Sequence, residues 1–427
     1  MNILNQTITK QKDNLQTIQN KKYINRSKLP EAKKLMENDL IKVVIGPRRA
    51  GKSVLSILTL EGKHYAYLNL DEDNLLPILE EMKNYDELLH QMFAVYGQTK
   101  ILFFDEIQNL KQWELFVNRL HREGYNVLLT GSNAKLLSKE LSTHLTGRHY
   151  AIEILPFNFK EFLLAKNFNL DPKQLIQPEI KGQLLHLLRQ YLTYGGYPEL
   201  IVKNLEASNY LATLFDSVLL KDIITRYKIR FTQKMNDLGN YIINNVGNQL
   251  SLRKLTNILQ FKSITTLKKY LNYLEESYLI FILNRYSHKT GVRLSAPKKA
   301  YVVDNGYISA KAVQFSPNDG RLLENLVFTA LIKKGLKPNL DLFYYKTRNN
   351  KEVDFITRQG INVVSLIQVS FQPDNSETQN REIKALLEAS QELKCENLII
   401  LTWDFEAIKE IQKKQIKFVP LYKWLLE

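Results

Sequence analysis

The sequence predicts an α/β protein: a parallel sheet with helices on both faces, then a mostly helical stretch, a small helical unit with strands, and a second α/β domain. Three observations predict it. Residues 41–155 alternate five apolar runs, IKVVI, HYAYLNL, ILFFD, NVLLT and YAIEI, with helical segments. That alternation builds a parallel sheet covered on both sides. Residues 156–245 read mostly as helix, and after residue 318 a helical run leads into three strand-like runs. At 427 residues the chain is long enough for two or three domains with sizeable cores.

The chain opens with a basic, polar segment, residues 1–40, expected as a helix or arm leading into the first strand. It lacks the apolar core of a signal peptide, and no run reaches the roughly 18 apolar residues that cross a bilayer. A single cysteine, Cys395, excludes an internal disulfide and a cysteine-based zinc site. The cytoplasm is the expected compartment, with no membrane partner.

Between IKVVI and VLSILTL stands GPRRAGKS, which fits G-x-x-x-x-G-K-[ST] at every fixed position in a strand–loop–helix setting. The loop Gly46, Pro47, Arg48, Arg49, Ala50, Gly51, Lys52 and Ser53 is therefore the candidate nucleotide-binding segment. Gly46 and Gly51 let backbone N–H groups curl around phosphates, Lys52 reaches the β/γ-phosphates, and the Ser53 hydroxyl ligates Mg²⁺. Arg48 and Arg49 lie inside the loop, to meet phosphate or to face solvent, and take no catalytic role.

KILFFDEIQNL ends a buried strand in two acids. Asp105 is placed to hold the Mg²⁺ shell and Glu106 to polarise the attacking water. A helix N-terminus also favours acids, which accounts for one carboxylate but not for the pair. YNVLLTGSN ends in Ser132 and Asn133, and a polar side chain there, beside the Mg²⁺ strand, can read the γ-phosphate; Asn133 is the candidate. Arg148, on a short loop, is a candidate arginine finger for a neighbouring subunit's nucleotide, against the plainer reading of a solvated loop arginine.

Together GPRRAGKS, YLNLDED, ILFFDEIQNL, LLTGSNAKLLSKELSTHLTGR, LPFNFKEF and YLTYGGYPEL resemble the AAA+ ATPases. They are most similar to the bacterial and archaeal group that joins a P-loop module to a C-terminal domain of unknown function. The resemblance spans nearly the whole chain. It implies ATP and Mg²⁺ as cofactors, ATP hydrolysis, and a helical lid over residues 156–245. In YLTYGGYPEL the pair Gly195–Gly196 reads as a helix stop, with close approach of another group or plain packing as its alternatives.

Residues 246–300 read as helix (LRKLTNIL), turn, second helix (SITTLKKYLNYLEES) and strand, the pattern of a winged helix. The second helix is expected to expose Thr265, Lys268 and Lys269 and to bury Leu267, Leu271 and Leu274. Charge points the same way: of a net charge of +15, residues 251–300 carry ten Lys/Arg against two acids. Such clustering suits a phosphate backbone, although winged helices also dock proteins.

Residues 301–427 are similar to the PD-(D/E)xK nuclease fold, with Glu324 on a helix and Asp354 on a strand in the places of its acids. Where that pattern has E-x-K, this chain has Gln368-Val369-Ser370. Gln368 is a weak Mg²⁺ ligand and Ser370 supplies no cation for the transition state, so a degenerate, nuclease-like domain is expected. The leading function is an ATPase acting on DNA as a motor or switch, its subunits assembled as a homo-oligomer around shared nucleotide sites. An assembly or signalling ATPase with a protein target and an ATP-gated nuclease are the alternatives.

Overall fold

The computed structural model describes residues 3–82, 85–132, 147–169, 171, 173, 176–312, 319–371 and 376–427. They form two compact units, Met1–Leu155 with Glu276–Tyr278, and Pro156–Glu275 with Leu279–Glu427. Among the described residues no helix is long and apolar enough to cross a membrane.

The first unit is built on strands β1 (Ile41–Ile45), β2 (Ala66–Asn69), β3 (Ile101–Asp105), β4 (Asn126–Gly131) and β5 (His149–Glu153). They pair in the order β2-β3-β4-β1-β5, every pair parallel. All five residues of β1 are buried, as a strand covered on both faces requires. β4 is inserted between β1 and β3, so its C-terminal end lies between the loop after β1 and the acids that close β3. The N-terminal segment is a packed helix, Ile3–Gln19, whose Leu4, Ile8 and Leu15 enter the sheet's core. Its Gln11 amide accepts from the Asn69 N–H at 2.8 Å and donates to the Asn69 carbonyl at 3.0 Å, which occupies backbone groups of edge strand β2.

The second unit begins with helices Phe159–Ala165, Pro178–Tyr194, Pro198–Val202 and Ala207–Ser217, the last running into a π-helical stretch, Val218–Thr225. Gly195 ends the long helix with φ +75°, and a Cβ there would lie 1.6 Å from Asp304 Oδ1. The group that approaches this turn is thus the buried Asp304 carboxylate. It accepts from the Gly196 N–H at 2.8 Å and the Gly306 N–H at 3.0 Å, so the glycine pair packs against a neighbouring loop.

Next come helix Thr232–Asn244, β6 (Gln249–Leu250), helices Leu252–Ile258 and Ile264–Glu276, β7 (Ile280–Leu283) and β8 (Lys298–Val302). The three strands form an antiparallel sheet in the order β6-β8-β7. Helix Asp319–Lys333 then precedes a six-stranded sheet of β9 (Leu342–Lys346), β10 (Glu352–Gln359), β11 (Asn362–Ser370), β12 (Leu398–Thr402), β13 (Ala407–Ile411) and β14 (Lys414–Pro420). Its order is β13-β14-β12-β11-β10-β9, with β11, β12 and β14 parallel and both ends antiparallel.

Candidate functional site

Because β1, β3 and β4 are parallel neighbours, their C-terminal ends put three sequence-distant segments side by side. The loop Gly46–Ser53 leaves β1 and enters helix Lys52–Thr59. A Cβ at Gly46 would meet the Ile154 carbonyl oxygen at 2.0 Å, so the chain following β5 passes too close for any side chain. Gly51 caps the helix at φ 92° and Arg49 sits at φ 67°, left-handed geometry that turns successive N–H groups inward. Arg26, from the basic N-terminal segment, braces the loop: its guanidinium donates to the Ala50 carbonyl at 2.7 Å and the Leu155 carbonyl at 2.5 Å. Arg48 lies 3.8 Å from Asp71.

Lys52 is 4% exposed and its ammonium donates to the Pro47 carbonyl at 3.2 Å. It also lies 3.5 Å from Glu106 Oε1. Ser53 Oγ donates to Asp105 Oδ1 at 3.0 Å, the Thr130 hydroxyl donates to the same oxygen, and Tyr67 OH reaches Oδ2 at 3.4 Å. Burial and the adjacent Glu106 charge push the Asp105 carboxyl above its ordinary range, against the pull of Thr130, Ser53 and Lys52. Burial also acts on Glu106, but Lys52, Gln108, Arg48 and Ser132 outweigh it and hold this carboxyl below its ordinary range. Glu106 therefore stays ionised.

Glu106 adopts φ 54°, ψ 51°. A non-glycine residue held there is strained, and strain of this kind is tolerated where it sets a side chain's direction. Its N–H donates to Thr130 Oγ1 at 2.9 Å, so one β4 hydroxyl fixes both acids. Gln108 donates to the Glu106 carboxylate and approaches Ser132 Oγ at 3.4 Å. Thr130, Tyr67 and Gln108 lie inside the quoted motifs but received no role there, and Arg26 lies outside them. Thr130 has the one available signal, a hydroxyl residue near the end of an apolar run.

Asn133 lies outside the described residues. Arg148 sits at the start of β5, its carbonyl accepting from the Ile41 N–H at 2.9 Å and its Nη1 donating to Asn118 Oδ1 at 3.3 Å. That is the N-terminal edge of the sheet, with the length of β1, roughly 16 Å at strand rise, between Arg148 and its own phosphate loop.

A second constellation lies in the second unit. Glu324 and Asp354 do converge, but around the ammonium of Lys299, which is 1% exposed. Lys299 Nζ lies 2.9 Å from Glu324 Oε1, 2.6 Å from Glu352 Oε1 and 3.7 Å from Asp354 Oδ1. Tyr301 OH donates to Glu324 Oε1 at 2.7 Å, and the Val369 N–H donates to Asp354 Oδ2 at 3.0 Å. Gln368 Oε1 accepts from the Asp354 N–H at 3.3 Å. Burial pulls the lysine's pKa down, and the three carboxylates raise it well above the ordinary value. Burial, then the Glu324 charge, pushes the Asp354 carboxyl far up, opposed by Lys299. The cluster is an internal ion group whose cation is covalently part of β8. Neither Lys299 nor Glu352 belongs to the pattern read from sequence.

Comparison with known proteins gives a match to the family model of an AAA domain over residues 38–163. Two domains of unknown function follow, DUF8612 over residues 185–318 and DUF4143 over residues 319–424. An uncharacterised protein of Methanocaldococcus jannaschii is 38% identical over 97% of this chain and 93% of its own length. An uncharacterised protein of Haemophilus influenzae is 31% identical over 92% of this chain and 95% of its own. Among solved structures, the Walker-type ATPase of Pyrococcus abyssi aligns at 14% identity and a TM-score of 0.41, over 67% of this chain and 95% of that one.

Proposed function

The chain belongs to the family of P-loop ATPases in which an AAA domain is joined to a C-terminal domain of unknown function, and from that premise we propose that it binds and hydrolyses ATP to act on DNA. The observation that carries the catalytic half is the convergence of Lys52, Ser53, Asp105, Glu106 and Thr130 at one edge of the parallel sheet. In this reading the N–H groups of Gly46–Ser53 cradle the phosphates and Lys52 meets the β/γ-phosphates. Glu106 takes up the proton of the attacking water. Ser53 and Asp105 offer a hydroxyl and a buried carboxylate 3.0 Å apart, an all-oxygen donor set that fits Mg²⁺. A dication bound there neutralises phosphate charge and offsets the cost of the buried Asp105 charge.

The nucleic-acid half rests on the elements Thr232–Val302. Their order, helix, short strand, two helices and two strands with β8 central, supports the winged-helix reading of residues 246–300. The second of the two paired helices, Ile264–Glu276, exposes Thr265, Lys268 and Lys269 and buries Leu267, Leu271 and Leu274. This polarity suits a phosphate-lined groove. Cleavage of nucleic acid is not part of the proposal, because Lys299 stands among the carboxylates that a nuclease needs for metal.

Steady-state ATPase rate with single- and double-stranded DNA across a salt titration tests both halves. Stimulation that fades with salt, with log affinity falling about 0.9 per duplex phosphate contacted for each tenfold rise in salt, is the expected result. Turnover indifferent to either DNA form removes the nucleic-acid half and leaves a protein target as the reading.

A further inference from the structure

Beside the helix–turn–helix unit runs RYKIRFTQK, residues 226–234, with four basic residues and no acid. It ends in the first turn of helix Thr232–Asn244, to which no side chain supplies a cap. Arg230, Phe231, Thr232, Gln233, Lys234 and Asp237 line one side of an open groove of about 590 Å³, and Ile258, Leu259 and Gln260 line the other. Phe231 is 56% exposed and Ile258 is 58% exposed, which sets an open aromatic ring and an open isoleucine beside the groove's cations. Asp237, the one acid in the lining, accepts from the Gln233 amide at 2.9 Å.

Beneath the groove, a run of rings, with Phe261 and Tyr270 buried, packs Lys234 toward helix Ile264–Glu276. Lys234 lies 5.5 Å over Phe261, and Phe261 meets Tyr270 edge-on at 5.2 Å. Tyr270 neighbours Tyr273 at 6.3 Å, and Tyr273 stacks on Tyr227 at 3.8 Å. An exposed cation, Arg230, and a half-buried one, Lys234, whose ammonium donates to the Gln260 carbonyl, flank the exposed ring of Phe231; this matches a single strand, whose phosphates need charge and whose unpaired bases need a flat apolar partner. A duplex keeps its bases stacked on one another and has no face to offer Phe231. An uncapped helix N-terminus in the same groove adds a further preference for an anion.

We propose that this groove holds single-stranded nucleic acid, with phosphate on Arg230 and Lys234 and an unpaired base on Phe231. The proposal rests on the nucleic-acid reading of the adjoining helix–turn–helix unit and names the strand form it takes. Fluorescence anisotropy of a labelled oligothymidine and of a matched duplex, each titrated with the full chain, tests it on Phe231→Ala, Arg230→Gln and Lys268→Gln/Lys269→Gln. Phe231→Ala is expected to weaken the oligothymidine about tenfold and to leave duplex affinity and the salt slope unchanged. Arg230→Gln is expected to lower the single-strand slope by about 0.7, one phosphate. Both positions are exposed, and an unchanged Tm shows that the fold is intact. If Phe231→Ala and Arg230→Gln bind the oligothymidine like wild type while Lys268→Gln/Lys269→Gln weakens DNA, the groove is wrong and the DNA reading stands. If the wild type binds neither form, or binds an acidic apolar peptide in the groove instead, the groove proposal falls; in the first case the DNA reading falls with it.

Discussion

Lys52 and Glu106 face one another at 3.5 Å, a cation and an anion whose pairing a phosphate at the proposed site would break by competing for the lysine. The two residues should therefore separate cleanly in kinetics. Lys52→Ala is expected to abolish nucleotide binding in titration calorimetry. Glu106→Gln should keep binding, since the charge it loses opposes phosphate, and should lower kcat by about a hundredfold or more. A Glu106→Gln enzyme turning over at the wild-type rate would move the base elsewhere. At this scale the sequence was most informative: a phosphate loop is local, its spacing is set by backbone curvature, and its residues are contiguous. Thr130 was not visible because its role comes from β4 lying beside β3, a pairing no local pattern encodes.

At the scale of elements, two contacts join segments that read separately. Gly195 at φ +75° faces Asp304, and Gly195→Ala adds left-handed strain to a collision with a buried carboxylate. A loss of about 3 kcal/mol or more in chemical denaturation is expected; an unchanged midpoint would show that the turn relaxes. Lys299→Met removes the ammonium paired with Glu324, Glu352 and Asp354 and should cost about 3–5 kcal/mol at neutral pH. The sign with pH follows from the direction of each shift. The wild-type lysine is raised, so its contribution is complete below the ordinary lysine range and is lost only as pH climbs through the folded value. Asp354 is raised too, so its penalty is complete above its folded value, shrinks as pH falls below that value and is gone once pH is below the ordinary carboxylate range. Lys299→Met should thus recover part of the lost stability between neutral and mildly acid pH; a penalty independent of pH would mean packing, not charge. The helices and strands themselves were legible, because apolar period and glycine stops are local signals. Glu352 and Lys299 were not, since an ion cluster leaves no spacing in the chain.

For the whole molecule, the five runs read as strands are strands, while their order, β2-β3-β4-β1-β5, came only with the structure. That order puts Arg148 at the sheet edge remote from its own phosphate loop, so any catalytic use of it requires another subunit. Arg148→Ala and Lys52→Ala chains, each inactive alone, are expected to regain part of the ATPase rate when mixed, because one mixed interface has an intact loop on one side and an intact arginine on the other. Mixtures that stay at the sum of the separate rates would assign Arg148 to its Asn118 contact.

Lys299 has one more consequence, for anyone who cuts the gene. Lys299 and Tyr301 reside on β8, whereas the acids they serve come from helix Asp319–Lys333 and β10. A fragment starting at residue 303, or at the 318/319 junction of the two family models, would retain the acids and leave behind the buried ammonium of Lys299 that pairs with them. Nothing added to the buffer substitutes for it as a bound ion would, since its position is guaranteed by the peptide backbone. The smallest C-terminal piece that folds on its own should therefore begin upstream of β8, and deletion series that stop short of it should yield insoluble protein.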